Sequence, residues 1–153
     1  MARVLVADPI ATEGVELLGS GSEVDVKHGL NPRELLEVIG SYDGLVVRSE
    51  TKVTPEVVEA AKSLRVIARA GIGVDNINLE AATAAGIAVV NAPIGNTVAA
   101  AEHTVALMLA LARNVPQAFQ SVKQGEWRRS AFMGIEVRNL SLIHISEPTR
   151  PLY

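Results

Sequence analysis

The stretch Arg69-Ala70-Gly71-Ile72-Gly73-Val74-Asp75-Asn76 carries the densest chemistry in this chain. Two glycines one residue apart let the backbone approach a ligand and turn successive N–H groups inward, a concavity suited to a carboxylate or phosphate. A plain structural turn uses the same residues, and the spacing alone leaves both uses open. It is not a dinucleotide fingerprint: the third glycine of Gly-x-Gly-x-x-Gly would stand at position 76, which is Asn. Two arginines flank this loop, Arg69 itself and Arg48, which opens Arg48-Ser49-Glu50-Thr51. A guanidinium captures a carboxylate or phosphate through two parallel hydrogen bonds. The alternative use is a surface ion pair with Glu50 or Asp75. Both arginines beside a Gly-x-Gly loop favour an anionic small-molecule site. A third loop, Asn91-Ala92-Pro93-Ile94-Gly95-Asn96-Thr97, precedes a long helical pattern that Asn96 or Thr97 can cap. Free N–H groups at that helix start also suit an anion.

Other chemistries are poorly served. The histidines are His28, His103 and His144, and none has a carboxylate at a spacing that makes an acid–base pair. His103, one step after Glu102, reads as a packing or interface residue. There is no cysteine, which excludes disulfides, thiolate nucleophiles and zinc–thiolate sites. No Ser-His-Asp set, His-Glu-x-x-His helix or phosphate loop occurs, and no metal site is expected. A net charge of −3 gives no reason to expect binding along a nucleic-acid backbone. The most apolar run, 105–112, falls far short of the roughly 18–20 residues that span a bilayer. Met1-Ala2-Arg3 leads straight into a strand-like run, without a secretory leader. A cytoplasmic protein with no membrane contact is expected.

The elements that must position these loops read clearly. With 48% apolar, 20% charged and only 3% aromatic residues, the core must be aliphatic. Strand patterns fall at 3–7, 23–27, 44–48, 66–68 and 87–91, and the alternating polarity of 23–27 predicts an edge position. Helical patterns fall at 11–18, after Asn31-Pro32-Arg33-Glu34, after Thr54-Pro55-Glu56, at 79–85, and at 97–113 with a continuation to Lys123 after Pro116. Short aliphatic strands alternating with helices argue right-handed βαβ units and a parallel sheet covered on both faces. A flavodoxin-like, doubly wound α/β domain over 1–96 is predicted. The helix over 97–113 has almost no polar face, interrupted only by Glu102 and His103. Such a helix is normally buried on several sides, so it needs a packing partner, and self-association is expected.

Four stretches carry a family resemblance: Val46-Val47-Arg48-Ser49-Glu50-Thr51-Lys52-Val53-Thr54, residues 69–79 (RAGIGVDNINL), residues 91–102 (NAPIGNTVAAAE) and Phe132-Met133-Gly134-Ile135-Glu136. Over residues 1–139 the chain resembles the amino-terminal part of the D-isomer-specific 2-hydroxyacid dehydrogenases, in particular the branch that oxidises 3-phosphoglycerate to 3-phosphohydroxypyruvate with NAD at the start of serine synthesis. The resemblance implies a two-domain enzyme. Residues 1–96 would form the substrate-binding domain, and 97–139 would begin a Rossmann-type NAD-binding domain. It further implies that Arg48 and Ser49 face the phosphate end of the substrate, that Arg69 assists on the anionic side, and that the backbone of Ala70-Gly71-Ile72-Gly73 holds the carboxylate. Ile72 and Asn96 would touch substrate or nicotinamide. Where the family often has Thr, Ile72 leaves only backbone and apolar contact. Asp75 and Asn76 would support the loop, and the helix over 97–113 would contribute to a homo-oligomer.

The family's nucleotide-binding glycine loop, ribose-binding acid, catalytic arginine and histidine–glutamate pair fall beyond position 139. The expectation is therefore that this chain holds no catalytic residue and is inactive alone. Residues 140–153 match nothing in the family and resemble an in-frame translation of a sequencing adapter, so they are set aside as a scar would be. Alternatively Leu140, Leu142 and Ile145 form a strand in a genuine tail. Three competing readings stand beside the main one. A different family member, of the glyoxylate/hydroxypyruvate reductase or formate dehydrogenase type, is the first. A response-regulator receiver would need Asp and Lys where Arg48 and Asn91 stand. The third is a non-catalytic binding or oligomerisation module.

Overall fold

The computed structural model describes residues 1–142. Ile145 and most of the adapter-like tail therefore lie outside the described residues, while Leu140 and Leu142 belong to no strand. Five strands, β1 (Arg3–Val6), β2 (Glu23–Val26), β3 (Gly44–Val47), β4 (Val66–Arg69) and β5 (Ala88–Asn91), form one sheet in the order β2-β1-β3-β4-β5. Every pairing is parallel, with Leu5 opposite Leu45 and Leu45 opposite Ile67. This is the predicted flavodoxin-like order. All four residues of central β3 are buried, which is why it reads as an unbroken aliphatic run. Edge strand β2 is half-exposed and alternates in polarity, as expected.

Helices α1 (Thr12–Gly19), α2 (Pro32–Ile39), α3 (Pro55–Ala60) and α4 (Leu79–Ala84) connect successive strands. Helix α2 starts where the sequence places it. The Asn31 side-chain oxygen accepts from Arg33 N–H and Glu34 N–H, each at 3.0 Å, and Asn31 N–H donates to Glu34 Oε2 at 2.8 Å. Such a capping box contributes about 1–2 kcal/mol. In α4, Asn78 Oδ1 accepts from Ala81 N–H at 2.8 Å, and Gly86 at φ +72° ends the turn that follows. The core joins Leu5, Leu45, Val47 and Ile67 of the sheet to Leu35, Ile39, Val57, Val58 and Ala82 of the helices. Buried Tyr42 packs under the Arg3 guanidinium, 4.9 Å from its ring centroid, and donates its hydroxyl proton to Asp25 Oδ2 at 2.7 Å.

A second compact unit begins at Val98. Helix α5 (Thr97–Ala112) leads into it, followed by α6 (Val115–Lys123) and a 3₁₀ turn at Arg129–Phe132. The spacing predicts a helix resuming after Pro116, but α6 starts at Val115 with Pro116 in its first turn, where no intrahelical N–H bond is lost. Gly134 passes so close to Ala112 that a Cβ would collide with the Ala112 carbonyl oxygen. None of the sixteen residues of α5 is buried, with Leu107 57% and Leu111 79% exposed. No described helix is long and apolar enough to cross a membrane.

Candidate functional site

In an open parallel sheet, ligands bind beyond the carboxyl ends of the strands, where the strand order reverses. With the order β2-β1-β3-β4-β5 the reversal lies between β1 and β3. Asp8 follows β1 and Arg48 follows β3, so the pair brackets that point. Val47 stands opposite Arg69 and Arg69 opposite Asn91. Arg48, the Gly71–Gly73 loop and Asn91 consequently leave three neighbouring strands side by side.

The loops are tied to one another by side chains. Asp8 is 2% exposed, and its carboxylate accepts from Arg48 N–H at 2.5 Å, from Thr51 N–H at 3.2 Å and from the Thr51 hydroxyl at 2.5 Å. From the other side Asn76 Nδ2 donates to Arg48 O and Thr51 O, both at 2.7 Å. Val53 N–H then bonds Asn76 O at 2.8 Å, and Asn78 N–H bonds Val53 O at 2.9 Å. The sequence reading makes Asn76 a support of its own loop; the structure has it holding the neighbouring one. Asn91 Nδ2 donates to Ile72 O at 2.6 Å, and Ala92 N–H to Gly71 O at 3.0 Å. Asp8, Thr51 and Asn91 are ties that sequence reasoning passed over. The available signal was a carboxylate placed directly after the aliphatic run 4–7.

Arg69 folds its guanidinium over the glycine loop. A Cβ on Gly71 would meet Arg69 Nη1 at 2.5 Å and Cζ at 3.1 Å, and one on Gly73 would meet Asp75 Oδ1 at 2.8 Å. Only glycine at 71 leaves this space to the arginine. Arg69 Nε is buried without a hydrogen-bond partner. Arg48 is exposed, with Nη1 3.4 Å from Pro9 O, and Ser49 and Ala70 are exposed beside it. Among the described residues neither arginine forms an ion pair, so the pairing with Glu50 or Asp75 is not made. Asn96 is exposed in the turn that leads to α5. No group of three or more His, Asp or Glu side chains fit to hold a metal occurs among the described residues.

The sequence profile of the catalytic domain of the D-isomer specific 2-hydroxyacid dehydrogenases matches residues 4–131. This chain belongs to that family. The D-3-phosphoglycerate dehydrogenase of Archaeoglobus fulgidus is 56% identical over 137 residues, covering 89% of this chain and 26% of that protein. Among solved structures, a protein of Thermus thermophilus superposes with a TM-score of 0.78 at 36% identity, over 88% of this chain and 45% of its own. An NAD+-bound 3-phosphoglycerate dehydrogenase of Entamoeba histolytica does so at 0.66 and 31%, over 73% and 39%. The chain spans about a quarter of the length of the curated relatives it matches.

The dehydrogenase family implies a dinucleotide, and the described residues do not make its cradle. The cradle needs a glycine-rich turn running from a strand directly into a helix. Here the loop after β4 carries Asn76 in place of the third glycine, spends that side chain on a neighbouring loop, and reaches α4 only at Leu79. From Val98 onward the described residues form helices and turns but no strand.

Proposed function

We propose that this chain is the substrate-gripping portion of an NAD-dependent oxidoreductase that converts 3-phosphoglycerate to 3-phosphohydroxypyruvate. The observation that carries the reading is the placement of Arg48 and Arg69 on adjacent strand ends around a Gly-x-Gly loop, neither arginine being paired to an acid. A substrate with a phosphate at one end and a carboxylate at the other fits two guanidinium groups and the N–H groups of Ile72 and Gly73; Ala70 N–H and Gly71 N–H already donate to Val47 O and Arg69 O, each at 2.8 Å. Arg48 and Ser49 take the phosphate end. Arg69 and the backbone N–H groups of Ile72 and Gly73 take the carboxylate, Ala70 and Gly71 shape the loop through their own bonds to Val47 O and Arg69 O, and Ile72 and Asn96 lie toward the reacting carbon. NAD, when bound by the whole enzyme, accepts the hydride; the residues described here bind and orient, and no hydride or proton step is assigned to them.

In this reading residues 1–96 are the substrate domain and 97–139 begin the cofactor domain. Residues 140–153 play no part, and the apolar α5 joins copies of the protein into a homo-oligomer. A charged small-molecule substrate favours a cytoplasmic setting. The chain alone turns over no substrate. A relative acting on glyoxylate, hydroxypyruvate or formate is the second reading, and the two arginines favour a doubly anionic ligand over those singly charged ones. Titration of the 153-residue chain with 3-phosphoglycerate and with D-glycerate, followed by amide NMR, separates the two. The proposal expects tighter binding of the phosphorylated acid with shifts centred on 48–51 and 69–73. Equal affinity for both acids defeats it, and 3-phosphoglycerate-dependent NADH formation by this chain defeats the claim of inactivity.

A further inference from the structure

The donors to the buried Asp8 carboxylate come from one short loop: Arg48 N–H, Thr51 N–H and the Thr51 hydroxyl. Burying a carboxylate is costly unless hydrogen bonds offset it, and the hydrogen bonds of this one run to the loop after β3 rather than to the sheet. Asn76 holds the same two residues by their carbonyls. Arg48 and Thr51 are thus gripped on both their N–H and their C=O, from β1 on one side and from the loop after β4 on the other. Ser49 and Glu50 stand exposed between these two fixed points. A segment held this way is ordered before any ligand arrives, so binding need not order it.

From this we infer that Asp8 is a positioning residue for the anion site, acting through the Arg48–Thr51 segment rather than by touching the ligand. The inference rests on the reading of Arg48 and Ser49 given above. The Asp8 lone pairs are taken up by loop donors, so its charge faces the loop and not the crevice. The isosteric substitution Asp8→Asn would keep the grip in part: the amide oxygen accepts from the Arg48 and Thr51 N–H groups while the amide nitrogen donates to a rotated Thr51 hydroxyl.

The test measures 3-phosphoglycerate affinity of the 153-residue chain by NMR titration for wild type, Asp8→Ala, Arg48→Gln and the double variant. Amide hydrogen exchange is read at Arg48 and Thr51, with Leu45 and Ile67 as fold controls. Asp8→Ala and Arg48→Gln each weaken binding about tenfold, and the double variant weakens it about tenfold rather than a hundredfold, because both act through one loop. Exchange accelerates at Arg48 and Thr51 and holds steady at Leu45 and Ile67, and Asp8→Asn restores most of the affinity. Should Asp8→Ala fail to fold, Thr51→Val, which removes the hydroxyl bond to Asp8, carries the same cycle with a smaller effect. A folded Asp8→Ala within twofold of wild type, or losses that multiply in the double variant, overturns the inference and leaves the proposed function standing. A wild-type chain that binds no 3-phosphoglycerate overturns the functional reading and this inference with it.

Discussion

Replacing Asn76 by Ala removes both hydrogen bonds that hold the carbonyls of Arg48 and Thr51. The bond to Arg48 O is exposed, so water replaces it and its loss costs about 0.5 kcal/mol. The bond to Thr51 O is partly buried, and leaving that carbonyl without a donor costs about 1–2 kcal/mol. Against this, Asn76 Oδ1 is buried and accepts no bond, so its removal returns part of the loss. The net destabilisation is about 1–2 kcal/mol, which at a urea slope of about 2 kcal/mol/M lowers the unfolding midpoint by about 0.5–1 M. Asn76→Asp is worse than Ala by about 1 kcal/mol, since a carboxylate has no proton to give and faces two carbonyl oxygens. Urea unfolding followed through the amide resonances of Leu45 and Ile67 measures both variants. A midpoint for Asn76→Ala within about 0.2 M of wild type, or an Asp variant as stable as wild type, would refute the view that this side chain clamps the loop.

Three further outcomes are expected. The Tyr42 hydroxyl bond is the largest effect on the Asp25 carboxyl; desolvation opposes it, and the charge and hydrogen bond of Arg3 with the charge of Lys27 add to it, so the group lies below its ordinary value of 3.8. Its stabilisation is therefore present above the unfolded-state pKa and disappears as pH falls through the lower folded value. Tyr42→Phe raises the Asp25 pKa and flattens this acid limb, and carboxyl NMR titration showing no change would contradict the assignment. Gly71→Ala forces the Arg69 guanidinium aside, a movement a flexible side chain makes at little cost to stability. The unfolding midpoint should hold while 3-phosphoglycerate affinity falls at least about fivefold; unchanged affinity would show that Arg69 does not act from its observed place. Glu at both Leu107 and Leu111, 57% and 79% exposed on successive turns of α5, should lower the mass seen by light scattering. A wild-type chain that is already monomeric at working concentration contradicts self-association through this helix.

Much of the architecture follows from local patterns. The aliphatic runs at 3–7, 44–48 and 66–68, each closed by a turn or polar residue, point to buried parallel strands because only covered faces tolerate such runs. Asn31, Pro32 and Glu34 mark the start of α2 through bonds that span three residues, a distance over which spacing in the chain is spacing in space. Arg48, Arg69 and the two glycines between positions 70 and 74 were legible as a candidate site because each sits where a strand pattern stops. What held those loops was not legible. Asp8 and Arg48 are 40 positions apart, and Asn76 and Thr51 are 25 apart; neither pair exists until β1, β3 and β4 have paired in register.

Residue order alone determined the alternation of strand and helix, the aliphatic core, the caps and the carboxyl-end position of the charged and glycine loops, because propensity, periodicity and capping act within a few residues. Only the tertiary structure decided that β1 lies against β3, that a buried aspartate grips the loop of Arg48, and that Asn76 serves its neighbour's loop. Hydrogen bonds between distant side chains and loops have no periodic trace in the chain, and they form only when packing of the sheet has brought their partners within reach.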